Sequence, residues 1–407
     1  MNFNIIKITK FQYSVFFLFL FIWLYVRASR PELISFIQTH YLFNYENEFL
    51  KRGFIGEVIR LSFRNFNAQI VYNLSLFFLI LLSIFFFKIS YVDFNKDTNL
   101  NKLIFSTAVF VSPLTLQHFI YDVGRFDIIN LLITFCVFSI IEKFYKRTSF
   151  LLILIFPLLN LMLLIHEASF FMFIPMIFGF WFLKNSYKST VAVQLILLLI
   201  IIFTTYKIST LGLASKFSYT EYYNYLQNKY FFSMEETASS RFFSVRSTAI
   251  EVLYRDLFNT YDTSVKYAIL EDTFRLGFAK KSIINNLILI FFLFPIFFIV
   301  FKIYQAIFKV SDIKTKLFLM TPFSTFILFI LGYDHMRWWA LIFTNVFIII
   351  FKLCDQKDIY IEIIRANVEK YKFIYIFLIL ESFILGPVKF MHTFDVIESL
   401  EIYKKLF

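Results

Sequence analysis

The sequence predicts an all-α, polytopic integral membrane protein, formed by residues 1–407 as a single domain with about eleven transmembrane helices. Hydrophobic residues make up 59% of the chain and charged residues 17%, whereas a soluble domain has about 45–50% and about 25%. The mean hydropathy is +0.71. Phenylalanine occupies 62 positions, against 8 glycines and 7 prolines. This composition excludes a water-soluble globule, a disordered chain and a collagen-like repeat.

The predicted spans are the long hydrophobic runs, because about 17–25 apolar residues are needed to cross a bilayer as a helix. The stretch 149–183 is too long for one helix and is expected to turn at His166 and Glu167. The first run leads into Arg27 and Arg30 without a small-residue cleavage motif, so we expect a retained helix. The eleven runs are centred on residues 11–26, 67–87, 103–120, 128–141, 150–165, 168–183, 190–207, 283–301, 317–332, 338–351 and 373–387.

The net charge of +12 is explained first by orientation in the membrane, because Lys and Arg collect in cytoplasmic loops. Nineteen of the 40 basic residues fall on one side of the predicted spans, while the three short turns of the other side hold two. We therefore expect a cytoplasmic N-terminus and no nucleic-acid partner. Two large loops then lie outside: residues 27–66, with an amphipathic helix at the interface, and residues 208–282.

Cofactor motifs are weak in this chain. Cys136 and Cys354 have no CxxC spacing, which excludes a thiolate metal site. An HExxH motif is absent because position 170 is Phe. No cofactor is expected, and the use of a divalent metal ion is left open by the sequence.

Ionisable residues at membrane depth are costly and are therefore candidates for a functional site. In the predicted topology all of them face outside, and the inside loops are short, rich in Lys and chemically plain. They form four clusters: Glu46, Glu48, Lys51, Arg52 and Glu57; Asp122, Arg125 and Asp127; His166 and Glu167; Asp334, His335 and Arg337.

The first cluster is predicted to lie on an amphipathic helix, with Glu48 and Arg52 four residues apart on its polar face. Gly53 and Gly56 would allow a partner or a phosphate group to approach closely. A purely structural surface helix explains the pattern equally well. The apolar face would be formed by Leu50, Phe54, Val58 and Leu61.

The second and third clusters each have a catalytic and a structural interpretation. Arg125 is suited to phosphate or carboxylate recognition and Asp122 to general-base chemistry, but an Asp–Arg pair also closes a turn. His166 and Glu167 lie in an apolar run and need partners, for which Arg125 and Arg52 are the candidates. A His–Glu clamp between helices is the alternative.

The fourth cluster and the large loop also leave two interpretations open. Asp334, His335 and Arg337 precede Trp338 and Trp339, which could simply anchor the interface. Residues 208–282 are rich in Tyr and Arg, a composition that suits both sugar binding and an ordinary helical cap.

The layout of the chain resembles the GT-C architecture of lipid-carrier-dependent glycosyltransferases, and more narrowly bacterial O-antigen or capsule repeat-unit polymerases. The segments that stand out are Glu46–Gly56 and Asp122–Asp127. The resemblance implies a multi-pass protein of the bacterial inner membrane. It also implies a polyprenyl-pyrophosphate-linked glycan as substrate, contact with membrane lipid and other polysaccharide-assembly proteins as partners.

The resemblance also implies roles for the clustered residues. Asp122, Glu48 or Glu167 would be the catalytic base and His166 would orient it. The first loop has no Asp-Asp or Glu-x-Asp pair of the kind that many GT-C enzymes use with a metal ion. A transporter or flippase of a lipid-linked glycan, and a structural subunit, are the competing hypotheses. Substrate binding would involve Lys51, Arg52, Arg125, Asp127, Asp334, His335 and Arg337.

Overall fold

A computed structural model describes residues 10–29, 33, 35–63, 67–92, 100–185, 187–212, 219–229, 285–331 and 334–389, which fold almost entirely as helices. The first half contains α1 (Lys10–Ala28), α2 (Ser35–Leu42), α3 (Phe54–Ser62), α4 (Ala68–Val92), α5 (Leu100–Val111), α6 (Leu116–Tyr121), α7 (Phe126–Phe144), α8 (Thr148–Ile165), α9 (Ser169–Met172) and α10 (Ile174–Lys184). The second contains α11 (Lys188–Leu211), α12 (Tyr219–Lys229), α13 (Asn285–Phe292), α14 (Phe294–Val310), α15 (Ile313–Met320), a 3₁₀ helix (Thr321–Ile327), α16 (Leu328–Leu331), α17 (His335–Gln356), α18 (Asp358–Lys370) and α19 (Lys372–Leu385).

Seven helical segments of the described chain are long and apolar enough to cross a membrane, and α13 with α14 makes an eighth if this pair, bent by 69°, is one span. Three of the predicted runs fall on helices outside this group. Helix α7 carries Asp127, Glu142 and Lys143, while Ser169–Lys184 is a shorter apolar stretch and α19 has 14 residues. The structure therefore supports an all-helical membrane protein, and the number of eleven spans stays a prediction.

Two segments form the centre of the bundle. The spans Leu100–Tyr121 and His335–Gln356 are 89% and 83% buried within the protein, whereas the other long apolar spans are only 22–33% buried. The outer helices expose large apolar side chains; Phe373, for example, is 89% exposed. Exposure of so many apolar side chains to water would be unfavourable, whereas the hydrocarbon of a lipid bilayer accommodates them. This arrangement is typical of a helical bundle surrounded by lipid.

The first of these two central spans, Leu100–Tyr121, is interrupted between α5 and α6. Pro113 lacks a backbone N–H and cannot continue the helix, and the chain turns from Ser112 to Thr115. Side chains replace the lost helical hydrogen bonds: Thr115 Oγ1 donates to the carbonyl of Val109, and Gln117 Nε2 donates to that of Val111. The polar backbone of the break is therefore satisfied inside the bundle.

The helices alternate in direction, so that the bundle has two distinct ends. At one end α6 and α8 finish while α7 and α17 begin; we call it the site end. At the other, the distal end, α4, α7 and α17 finish. Each of the four predicted clusters belongs to a connection at the site end.

The amphipathic helix of the first loop is α3, and it begins later than predicted. Glu48 and Arg52 precede its first residue, Phe54, so the prediction that they share a helical face is wrong. The reason is local: Arg52 adopts a φ of 66°, which ends any helical continuity before Gly53. Gly56 serves the chain's own packing, because a Cβ there would lie 1.9 Å from the carbonyl oxygen of Phe43.

The described part of the 208–282 loop contacts the first loop. Glu46 accepts a hydrogen bond of 2.5 Å from the Tyr225 hydroxyl and pairs with Lys229, both on α12. The rings of Phe43 and Tyr222 lie 5.9 Å apart. The predicted Tyr- and Arg-rich surface over 230–282 lies outside the described residues, as does the tail after 389.

Candidate functional site

Charged residues from four separate connections meet at the site end. We call them the charged cluster. They come from the first loop, the α6–α7 turn, the α8–α9 turn and the segment before α17. Its members are Arg52, Asp122, Arg125, Asp127, His166, Glu167, Asp334 and Arg337.

The strongest pair in the cluster joins the first turns of α7 and α17. Arg337 donates from Nε to Asp127 Oδ2 at 2.5 Å and from Nη2 to Oδ1 at 2.7 Å. Asp127 is 1% and Arg337 8% exposed. Two parallel hydrogen bonds match the planar guanidinium to the carboxylate and fix the rotation of one helix against the other. This pairing was not predicted from the sequence.

Asp334 links that fork to the α6–α7 turn. Its Oδ2 lies 3.3 Å from Nη1 of Arg337 and 3.6 Å from Nη1 of Arg125. Arg125 Nε in turn lies 3.4 Å from Oδ2 of Asp122. These three distances are longer than those of the Arg337–Asp127 fork. Gly124, with a φ of 95°, allows the tight turn that places Asp122 and Arg125 together.

Arg52 of the first loop binds Glu167 of the α8–α9 turn, one of the two partners expected for this carboxylate. Nη2 donates to Oε1 at 2.6 Å, and Nε lies 3.1 and 3.0 Å from Oε1 and Oε2. Burial alone would raise the pKa of Glu167, but the Arg52 guanidinium outweighs it and holds the pKa far below its usual range. Glu167 is therefore a firmly ionised group and a weak proton acceptor.

His166 lies between the two arginines and is uncharged. Burial, assisted by the charge of Arg52, lowers the pKa of His166 to about 3. Nδ1 accepts from the Ala168 backbone N–H at 3.2 Å and lies 3.6 Å from Oε2 of Glu167, while Nε2 is 3.3 Å from Nη2 of Arg337. Because a neutral imidazole has one acceptor nitrogen, only one of the two N–H groups can be bound at a time.

His40 is a part of this region that sequence reasoning missed. It is buried on α2, and its ring stacks on Phe126 at 5.5 Å. Burial, followed by the charges of Arg52 and Arg125, lowers the pKa of His40 well below its usual value. The only sequence signal was a single imidazole in an apolar stretch, which does not distinguish a packed residue from a functional one.

The remaining predicted residues lie around the cluster. Lys51 is buried, its backbone N–H donates to the Gly212 carbonyl at 2.8 Å, and its charge helps to keep Glu167 ionised. His335 turns toward α13, where Nδ1 lies 2.9 Å from Nδ2 of Asn286. Glu48 is half-exposed in the bend before Lys51.

The geometry ranks the carboxylates as proton acceptors. Asp122 Oδ1 and Asp334 Oδ1 are both buried without a hydrogen-bond partner among the described residues. Glu167 and Asp127, by contrast, are held by two-pronged arginine contacts. An uncommitted lone pair is what a base needs, so Asp122 and Asp334 are the better candidates. Within the described chain no three His, Cys, Asp or Glu residues are grouped to hold a metal ion.

The distal end is not chemically plain, contrary to the sequence-based expectation. Lys352 donates to Glu142 Oε1 at 2.8 Å there, and Lys88 and Asp355 line the same groove. Hydropathy alone missed this because these residues are spaced along three helices.

Comparison with protein families, curated proteins and solved structures finds no match to this chain.

Proposed function

We propose that this protein is a membrane glycosyltransferase that transfers or polymerises glycan from a polyprenyl-pyrophosphate carrier. The convergence of four connections into one buried charged cluster is the observation that carries the proposal. So many ionisable groups are expensive to bury, and in a membrane protein their retention marks a working site. In this proposal the chain has eleven spans in a bacterial inner membrane, its N-terminus is cytoplasmic and the site end is extracytoplasmic.

Asp122 acts as the base in the proposed reaction, with Asp334 as the second candidate. The acceptor hydroxyl oxygen attacks the anomeric carbon, the bond from that carbon to the pyrophosphate oxygen breaks, and the hydroxyl proton passes to the carboxylate. The pyrophosphate leaves with the electron pair of the broken bond. A preformed carboxylate with an open lone pair supports this step without rearrangement.

Arg125 is the best-suited cation for the leaving pyrophosphate. It adjoins the proposed base, because its Nε lies 3.4 Å from Oδ2 of Asp122, and its Nη1 lies 3.6 Å from Oδ2 of Asp334. Arg52 and Lys51 add positive charge on the first-loop side. Arg337 and Asp127 then hold α7 and α17 in register, so we assign them to positioning rather than chemistry.

A flippase for a lipid-linked glycan is the second candidate. Charged groups at both ends of the bundle favour it, because a transport path needs polar groups on both sides. The two proposals differ in whether the glycan itself changes.

The test uses the full chain reconstituted in liposomes with a lipid-linked oligosaccharide, and product length is followed on a gel. Asp122→Asn should lower chain growth by about 10²–10⁴-fold, the usual contribution of a general base. Glu57→Gln is the matched control, since Glu57 lies in the first loop and pairs with Arg60 outside the cluster. Full chain growth in both Asp122→Asn and Asp334→Asn would overturn the proposed chemistry. An unchanged glycan that moves between leaflets would support the flippase.

A further inference from the structure

A groove at the distal end has the features of a ligand site that is separate from the charged cluster. It lies between the ends of α4, α7 and α17 and has a volume of about 210 Å³. Phe85, Phe135 and Phe351 are among its lining residues, and the first two rings stack 5.6 Å apart. The remaining lining is largely charged, which is unusual for space between apolar helices.

The charges of this distal groove are balanced but not all paired. Lys352 and Glu142 bind each other at 2.8 Å. Lys184 stands behind this pair, and its ammonium lies over the ring of Phe180, as does that of Lys352. Lys88 and Asp355 are exposed and form no ion pair within 4 Å among the described residues, although the charge of Lys184 acts on Asp355. One ammonium and one carboxylate therefore remain available at the mouth.

The depth of the groove suits a lipid. The charged residues lie within the last two turns of α4, α7 and α17. Phe85 and Phe135 lie about one and two turns deeper than the charged residues of their own helices, and Phe351 directly precedes Lys352. The ends of apolar helices lie at the level of lipid headgroups. A headgroup in the groove would meet the charges while its glycerol and acyl chains contact Phe85, since Phe135 and Phe351 are each only 2% exposed.

We propose that the distal groove binds the phosphoethanolamine headgroup of a phospholipid. The Lys88 ammonium donates to the phosphate, and the Asp355 carboxylate accepts from the headgroup amine. A choline headgroup has no N–H to donate, and a glycerol headgroup lacks the positive charge that Asp355 attracts. Opposite charges on the ligand thus match opposite charges in the groove. This inference does not depend on the proposed transferase activity.

The experiment is native mass spectrometry of the full-length protein in detergent, titrated with phosphatidylethanolamine, phosphatidylcholine or phosphatidylglycerol of identical acyl chains. We expect the first lipid to bind at least about fivefold more tightly than the other two, a difference of about 1 kcal/mol. Lys88→Ala and Asp355→Asn should each remove this preference. Lys143→Ala is the matched control, because Lys143 lies on the same end of α7 and is not among the residues that line the groove.

Charge reversal gives a result that loss of folding cannot imitate. Asp355→Lys should shift the preference from phosphatidylethanolamine to phosphatidylglycerol, since the groove then carries excess positive charge. Equal binding of the three lipids by the unmodified protein would overturn the proposal. Undiminished preference in both Lys88→Ala and Asp355→Asn would overturn it as well.

Discussion

At the site end, the carboxylates of Asp127 and Glu167 are each 1% exposed. Each accepts at least two hydrogen bonds from one arginine, Arg337 or Arg52. At the distal end, the side chain of Glu142 is 31% exposed and shares a single contact with Lys352. Both ends carry ion pairs, yet only the first has withdrawn them from solvent. Burial decides what such a pair contributes, because removing one partner leaves a charge that water cannot reach. The two ends should therefore respond very differently to the same kind of substitution.

The largest effect is expected for Arg337→Ala. It leaves Asp127 buried and ionised without its partner, which should lower the free energy of unfolding by about 3–5 kcal/mol. The measurement is the thermal unfolding of the purified protein in detergent, together with the yield of folded protein. Arg337→Lys serves as the comparison, since it keeps the charge but loses the fork. A midpoint for Arg337→Ala equal to that of the unmodified protein would show that the cluster is not a buried network.

A smaller loss is expected when the Arg52–Glu167 pair is broken. Arg52→Ala should lower stability by about 2–3 kcal/mol, because Glu167 stays buried while Lys51 still offers some positive charge. The double variant Arg52→Met with Glu167→Leu should recover much of this loss, since no charge is left unpaired. Thermal unfolding of Arg52→Met, Glu167→Leu and the double variant gives the coupling between the two residues. Strictly additive losses would contradict the pairing.

The third prediction concerns pH. Because the pKa of His166 falls from 6.5 to about 3 on folding, the folded protein binds fewer protons than the unfolded chain between these values. Stability is therefore lost as the pH falls below about 6.5, by about 2 kcal/mol at pH 5 for His166 alone. His166→Gln should remove the loss of stability that His166 causes. Adding His40→Gln should remove the pH dependence that the buried His40 contributes over the same range. Glu167 adds little slope between pH 7 and 5, because its carboxyl group is largely ionised in both states over this range.

The smallest effect is expected at the distal end. Glu142→Gln should change the free energy of unfolding by less than about 1 kcal/mol, since its pair with Lys352 is partly solvated. Thermal unfolding measured beside Arg337→Ala makes the comparison direct. A loss as large as that of Arg337→Ala would mean that the two ends do not differ in the way their exposure indicates.

Much of the architecture follows from hydropathy. The runs of Phe, Ile and Leu predicted the helices, and the position of the polar residues at their ends predicted that four clusters would share one end. Which charged residues pair with each other was harder to predict. Arg52 was one of two expected partners for Glu167, but the pairing of Asp127 with Arg337 depends on how α7 is rotated against α17. That rotation is set by packing along the whole bundle and has no local sequence signal.

The pairing of Asp127 with Arg337 also constrains how the protein is made. The two residues are separated by 210 positions in the chain. At 5–20 residues per second, synthesis takes about 10–40 s to cover that distance. Throughout this interval α7 has been synthesised with an acidic residue in its first turn, and its permanent counterion does not yet exist. Asp127 must meanwhile stay at the aqueous rim or in the protected lumen of the insertion machinery. The last central helix to be synthesised, α17, then completes the ion pair by bringing Arg337 to Asp127.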